Sequence, residues 1–348
     1  MKILVTGGAG FIGSNFIRRM LADYPDIEIV NMDALTYAGN LENLAGFEDD
    51  QRYEFLHGNI TDVEDVEQVF RGRAFDAVVN FAAESHVDRS LHMGADVFIQ
   101  TNVLGVQYML EACRANGVKR FLQVSTDEVY GSLGKQGRFA EESPIQPNNP
   151  YAATKASADL LVRAAHKSYG FDAVITRCSN NFGPYQFPEK LMPLMIANAL
   201  EDKPLPVYGD GKHVRDWIYV MDHCSAIDCV LRNGKSGGVY NIGGGHDVPN
   251  IDIVKGILKI LKKPESLIRY VEDRPGHDRR YAIDATHIRN ELGWKPSRSF
   301  EQALEYTVQW YVKNRDWWGR IRSGEYQHYY ERMYGNRLAG SGGEGDDA

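Results

Sequence analysis

The first apolar run of this 348-residue chain is followed at once by a cluster of glycines, Gly7-Gly8-Ala9-Gly10-Phe11-Ile12-Gly13. Ile3–Thr6 before it reads as a strand, and Phe11–Leu21 after it as a helix. Two spacings fit, Gly8/Gly10/Gly13 as GxGxxG or Gly7/Gly10/Gly13 as GxxGxxG. Either makes a tight turn, lets a pyrophosphate approach the backbone, and packs the helix closely on the strand. The free N–H groups at the start of the helix then face the phosphates. Such a turn commits the chain to a βαβ beginning, and the pattern that follows agrees.

Strand patterns recur at Glu28–Met32, Tyr53–His57, Ala77–Phe81, Arg120–Ser125 and Ala173–Arg177. Helical patterns at Asp62–Phe70, Val97–Asn116 and Ala152–Tyr169 separate them. This alternation predicts an α/β fold with a doubly wound parallel Rossmann sheet. The nearly continuous apolar strands suit a sheet covered on both faces. After about Asn180 the pattern changes. Helices are predicted at Leu191–Leu200, Asp222–Leu231, Ile251–Leu261 and Phe300–Lys313, with strands at Pro206–Tyr208, Trp217–Val220 and Val239–Ile242. Residues 1–180 are thus expected to form the dinucleotide domain, and 181–335 mainly a smaller α/β substrate lobe interleaved with it. Residues 336–348 are Gly- and Asp-rich and are expected to be a disordered tail.

The net charge of −8, without a long basic run, argues against a nucleic-acid partner. No stretch approaches the ~18 apolar residues of a membrane span. Met1–Thr6 runs straight into the strand pattern, so no secretory leader is expected. Cys113, Cys178, Cys224 and Cys229 form no CxxC pair. Reduced thiols in a cytoplasmic protein are the simplest reading, and no metal site is expected.

Asp33 ends the second strand 20 residues after Gly13. A carboxylate there accepts both ribose hydroxyls of NAD and repels a 2′-phosphate, and Ala34-Leu35-Thr36 offers no arginine to compensate. NAD is therefore the expected cofactor. Phe81-Ala82-Ala83-Glu84-Ser85 follows the fourth strand, where small alanines let a cofactor lie against the sheet edge. Tyr151 and Lys155 fall at i and i+4 on one face of a helix, with Pro150 in its first turn and Asn148 or Asn149 as N-cap. A free phenol titrates near 10. A neighbouring ammonium and a positive nicotinamide ring are expected to lower it, giving a base for a substrate hydroxyl. Thr126-Asp127-Glu128, at the end of the fifth strand, adds a hydroxyl and two adjacent carboxylates. Oxidation of a sugar C4 hydroxyl acidifies the C5 hydrogen. One carboxylate can then remove that proton while the other, still protonated, expels the C6 hydroxyl. A simple C4 epimerisation needs neither.

Taken together, Thr6–Gly13, Leu35–Asn40, Ala82–Ser90, Ser125–Gly131, Tyr151–Lys155 and Arg177–Gln186 resemble the dTDP-glucose 4,6-dehydratase family. That family is a branch of the extended short-chain dehydrogenases/reductases. The resemblance spans residue 1 to about 330, and Ser125-Thr126-Asp127-Glu128-Val129-Tyr130-Gly131 is its most specific part. Related sugar-nucleotide epimerases usually lack the Asp-Glu pair. The resemblance implies a lyase acting on dTDP-glucose with retained NAD, and a homodimer. It implies Tyr151, supported by Lys155, as base for the 4-hydroxyl, with Thr126 close by, Asp127 as acid at the C6 oxygen, and Glu128 as base at C5. It implies cofactor contacts at Gly7, Gly10, Phe11, Ile12, Gly13, Asp33, Thr36, Ile60, Phe81, Ala83, Thr101 and Asn181. Substrate contacts are implied at Ser85, Thr126, Asn180, Lys190, Leu191, Pro206, Tyr208, Arg215, Asn250, Arg274 and His277. Lys190, Arg215 and Arg274 suit a diphosphate. Where the family usually has Gly-Asp-Ile, this chain has Gly58-Asn59-Ile60. Asn59 keeps a carbonyl acceptor for the adenine amine. Phe182 stands where the family often has tyrosine.

Overall fold

The computed structural model describes residues 1–92, 94–273 and 278–322. Its first half alternates strand and helix. The strands are β1 (Lys2–Thr6), β2 (Glu28–Asp33), β3 (Tyr53–His57), β4 (Ala77–Asn80), β5 (Arg120–Thr126) and β6 (Ala173–Cys178). The helices are α1 (Phe11–Asp23), α2 (Val63–Phe70), α3 (Val87–His92), α4 (Asp96–Ile99), α5 (Val106–Ala115) and α6 (Pro150–Tyr169). The second half carries β7 (Asn180–Phe182), α7 (Leu191–Leu200), β8 (Leu205–Tyr208), β9 (Val214–Tyr219), α8 (Val220–Asn233), β10 (Val239–Ile242), β11 (Asp247–Pro249), α9 (Asn250–Leu261), β12 (Ile268–Val271), α10 (Thr286–Leu292), α11 (Phe300–Lys313) and α12 (Arg315–Arg322).

Seven strands form one sheet in the order β3-β2-β1-β4-β5-β6-β10, and every neighbouring pair is parallel. Strand order reverses between β1 and β4, so a crevice opens beyond their carboxyl ends, as in other doubly wound sheets. The apolar strands are buried because helices cover both faces. One face packs Leu4, Val78 and Phe121 against Val66, Met109 and Val162 of α2, α5 and α6. The other packs Ile3, Val79 and Val174 against Phe16 and Ile227 of α1 and α8. This second core continues without a break into Leu205, Ile253 and Leu304 beyond the sheet. The chain leaves the sheet after β6, builds part of that region, and returns to add β10 at the edge.

Three local differences from the sequence pattern have physical reasons. The helix expected over 97–116 is broken by a π-helical stretch, Gln100–Gly105, which pairs amides with longer loops while keeping the apolar stripe that suggested one helix. β7 is a three-residue strand of sequence Asn-Asn-Phe, too short and polar to show a strand period, and pairs with β9. β12, Ile-Arg-Tyr-Val, leaves Arg269 and Tyr270 exposed as the partner of β8. By contrast α6 begins as its sequence dictates. Asn149 Oδ1 accepts from the Ala152 N–H at 2.8 Å, and Pro150 opens the first turn. Phe300–Lys313 is helical over the expected span, behind a capping box of Ser299 and Gln302. Among the described residues no helix is long and apolar enough to cross a membrane. The tail beyond residue 335 lies outside the described residues.

The turn between β1 and α1 admits no side chain at two of its glycines. Gly7 has φ +72°, and a Cβ there would lie 2.5 Å from the Ala82 backbone nitrogen. A Cβ on Gly13 would overlap the Gly7 carbonyl oxygen. Gly7→Ala is therefore expected to cost about 1–3 kcal/mol or more, through overpacking and backbone strain together. Thermal and urea unfolding test this; an unchanged transition would show that the turn has room to move.

Candidate active site

A cleft of about 400 Å³ lies over the carboxyl ends of β1, β4 and β5. Gly7, Gly10, Phe11, Ile12 and Gly13 form its floor at the start of α1. The nearest atom to a Cβ on Gly10 would be the Gly7 carbonyl oxygen at 3.3 Å, so the backbone there is open to close approach. Gly8 is not part of the lining, and packs against Asn31 and Ile17. Of the two spacings, Gly7/Gly10/Gly13 is thus the one that faces the cleft. No side chain caps α1, which leaves its first N–H groups to a ligand.

Asp33 closes one end. Its Oδ2 accepts from the Ala9 N–H and its Oδ1 from the Leu35 N–H, both at 2.8 Å, so it ties the glycine turn to the loop after β2. Burial raises its carboxyl above the usual range, and these two N–H groups oppose that. Thr36, Asn59, Ile60, Phe81, Ala83, Thr101 and Asn181 complete this end of the wall. Asn59 Oδ1 already accepts from the Thr61 N–H at 3.0 Å, leaving one lone pair for a ligand. This lining matches the shape and chemistry of a dinucleotide.

At the other end, α6 and the turn after β5 meet. Thr126, Asp127, Glu128, Tyr151 and Lys155 all line the cleft. Thr126 caps the short 3₁₀ turn Asp127–Tyr130, its hydroxyl accepting from the Glu128 N–H at 3.2 Å. The same turn carries Asp127 into the interior, while Asn149 Nδ2 donates to Glu128 Oε2 at 3.3 Å. Burial, followed by the Glu128 and Asp216 carboxylates, holds the Asp127 carboxyl well above its ordinary range. Its surroundings thus favour the protonated form more than those of an ordinary Asp do. Burial and then Glu128 push the Tyr151 phenol well above 10. The lowering expected from a neighbouring ammonium is outweighed, because burial, then Glu128, Cys178 and Asp127 raise the phenol, while the Lys155 ammonium is turned to the Val124 carbonyl at 2.7 Å. Burial brings Lys155 down to about 8, against the pull of Asp159 and Cys178.

The family model described as GDP-mannose 4,6 dehydratase matches residues 4–307. The chain is 52% identical to a dTDP-glucose 4,6-dehydratase of Xanthomonas campestris, over 93% of this chain and 97% of that protein. Among solved structures it is similar to the dTDP-glucose 4,6-dehydratase of Bacillus anthracis in complex with NAD, at 52% identity and TM-score 0.87, covering 92% of this chain and 99% of that one. It is also similar to that of Streptomyces venezuelae, solved with NAD bound, at 50% identity and TM-score 0.89, covering 92% and 100%. This chain belongs to the dTDP-glucose 4,6-dehydratase family.

The other residues that resemblance to the dTDP-glucose 4,6-dehydratase family singled out divide into three groups. Ser85, Asn180 and Lys190 line the same cleft. Leu191 begins α7, Pro206 and Tyr208 lie on β8, Arg215 on β9 and Asn250 at the start of α9, and none of these lines it. Arg215 is buried, donates to the Asp278 carbonyl at 2.8 Å, lies over the Tyr281 ring, and lowers the Asp127 carboxyl by its charge. Arg274 and His277 lie outside the described residues. Several lining or neighbouring groups carried no sequence signal of their own. Cys178 lines the cleft from β6, and Glu189 from the loop before α7. Tyr281, hydrogen-bonded to Asp278, comes close enough to feel Glu128. Asn102, on the π-helical stretch, clasps Glu84 and donates to Thr154 at 2.9 Å. All are brought in by long-range folding rather than by spacing.

The state of Asp127 has a consequence for stability. Its folded-state pKa lies above the unfolded value, so its contribution is complete below about pH 3.9 and is lost as pH rises through the folded value. Asp127→Asn removes that penalty. The variant is expected to melt higher than the native chain at pH 8, with the gap closing on acidification. Melting curves at several pH values check this; a gap that does not change with pH would contradict it.

Proposed function

We propose that this chain is a dTDP-glucose 4,6-dehydratase, a hydro-lyase that converts dTDP-glucose to dTDP-4-keto-6-deoxy-glucose and water with NAD retained throughout. The observation that carries the reading is that Asp127, Glu128, Tyr151 and Lys155 share one cleft with the glycine turn. Bound NAD supplies the two-electron acceptor at C4, the matching donor at C6, and a ring cation beside Tyr151. Gly7, Gly10 and the start of α1 would hold its pyrophosphate, and Asp33 its adenosine ribose.

Tyr151 takes the proton from the 4-hydroxyl. The Lys155 ammonium, one helical turn along, provides the positive charge that a buried phenolate needs. Thr126 holds the 4-oxygen. Glu128 then removes the C5 proton, now acidified by the 4-ketone. Asp127 gives its proton to the C6 oxygen, which leaves as water. Glu128 then returns its proton to C5 as C6 is reduced, and the proton that Tyr151 took from the 4-hydroxyl makes good the one Asp127 gave to water. Burial, which favours the protonated form of Asp127, suits it to the acid role, and the hydrogen bond from Asn149 holds Glu128 for the base role. Residues 181–335 serve mainly as the sugar-nucleotide lobe, in which Ser85, Asn180 and Lys190 from the cleft wall meet the substrate together with Leu191, Pro206, Tyr208, Arg215 and Asn250.

The working unit in this proposal is a homodimer. Val97, Ile99 and Leu104, on α4 and the π-helical stretch, and Leu160 on α6 are all large apolar side chains exposed in one chain. A twin packing these helices against its own would cover them. Four free cysteines, three of them buried, fit a reducing, cytoplasmic setting.

Incubation with dTDP-glucose labelled with deuterium at C4 tests the reaction. The label is expected in the new C6 methyl group; its loss to solvent, or accumulation of a galactose nucleotide, would overturn the reading. Glu128→Gln is expected to slow water loss by roughly 10²–10⁴-fold with little change in substrate binding. Tyr151→Phe is expected to abolish the transient NADH absorbance on adding substrate.

A further inference from the structure

Behind the cleft lies a chain of buried polar groups that the proposed reaction does not use. Asp159 follows Lys155 by one turn of α6, and both side chains are buried. Arg177, on β6, donates from Nε to Asp159 Oδ2 at 2.8 Å and from Nη1 to the Tyr130 hydroxyl at 2.9 Å. Tyr130 in turn donates to Asn241 Oδ1 at 2.8 Å on β10. The ion pair of Asp159 and Arg177 is almost without solvent contact. Asp159 Oδ1 makes no hydrogen bond among the described residues. Burial raises the Asp159 carboxyl, and two cations, with the Ser125 hydroxyl, hold it toward the charged form. One of these is Arg177. The other is Lys155, which sits at the i−4 position, where helical side chains meet.

We infer that Asp159, clamped by Arg177, is a positioning residue for Lys155, supplying the buried negative charge that keeps an ammonium at the catalytic end of the cleft. This rests on the reading of Lys155 as a working group of the dehydratase. Of the other titratable groups near Lys155, Cys178 acts in the same direction but less than Asp159. Burial raises the Tyr151 phenol, on the same helix, and pushes the Cys178 thiol on β6 up to about 12, so both resist taking a negative charge. Asp127 and Glu128, on the turn after β5, act on Tyr151 and Cys178. Asp159 is the largest influence that favours the charged form of Lys155, and Cys178 the next. The Val124 carbonyl fixes where the ammonium points, and Asp159 fixes that it is an ammonium.

The sign of the effect follows. Lys155 works while protonated, so activity falls as pH rises through its pKa. Without Asp159 that pKa drops, and the alkaline limb of the rate profile moves to lower pH. An opposite charge within about 4–6 Å is worth about one to three pH units, or tenfold in ammonium fraction for each unit once the limb is passed.

The test uses the full-length chain carrying NAD. Turnover of dTDP-glucose is followed against pH for the native chain, Asp159→Asn, Asp159→Glu and Lys155→Met. In parallel, [ε-¹³C]lysine labelling reads the Lys155 titration directly, its resonance assigned by its loss in Lys155→Met. Asp159→Asn is expected to shift both the limb and the titration downward by at least one pH unit, and Asp159→Glu to keep both near the native position. If Asp159→Asn does not fold because Arg177 is left unpaired, the double variant Asp159→Leu, Arg177→Met removes both charges and is read the same way. A folded variant lacking Asp159 whose Lys155 titrates as in the native chain overturns the inference. Normal turnover by Lys155→Met would instead overturn the role given to Lys155 itself, so the two failures are told apart.

Discussion

The turn that closes β5 carries Asp127 inward instead of out to solvent, and much of the site follows from that one placement. Thr126 caps the turn, so the Glu128 N–H is satisfied and the backbone bends at once. Asp127 is left with Oδ2 buried and without a hydrogen bond among the described residues. Burial, then the Glu128 and Asp216 carboxylates, hold its carboxyl well above the usual range. Two neighbouring carboxyls thereby meet different surroundings, Asp127 buried in the interior and Glu128 tethered by Asn149 Nδ2. In the proposed elimination this difference separates the acid from the base without a metal ion.

Around that turn the site is assembled from two kinds of constraint. The glycine turn and Asp33 are steric and local. Gly7 and Gly13 allow backbone to lie on backbone, and Asp33 ties the result to the loop after β2. Lys155 and Asp159 depend on distant strands, because their partners come from β5 and β6. The first kind prepares a surface for phosphate and ribose. The second sets charge where a phenol has to ionise.

These two kinds also explain what could be read from the residues in order. The glycine spacing, the strand-ending Asp33, the Tyr151/Lys155 interval and the Thr126-Asp127-Glu128 run are contiguous or one turn apart, and all of them line the cleft. The inner strands were legible because covered strands are mostly apolar, and β3 at the edge because Tyr53, Phe55 and Leu56 still mark it. The interruption of the helix over 97–116 was not, since a π-helical stretch preserves the apolar stripe. β7 and β12 were too short to show a period. Glu189, Tyr281 and Asn102 reach the site through tertiary packing, which no spacing announces. The raised phenol of Tyr151 was missed for a related reason. Helical spacing places Lys155 near it, but the burial of the phenol, the Val124 carbonyl on β5 and the Glu128 charge on the turn after it come from tertiary packing.

The late arrival of β10 in the sheet has its own effect. The chain departs beside β6, passes through Asn180 and Asn181, winds through the second region, and comes back to hydrogen-bond alongside the strand it left. The excursion is thus a closed loop fastened at both feet to one sheet edge, with Tyr130 and Asn241 bolting the returning strand to the ion pair behind Lys155. If, as proposed, that loop holds the nucleotide, its capture and the alignment of α6 would share one mechanical anchor.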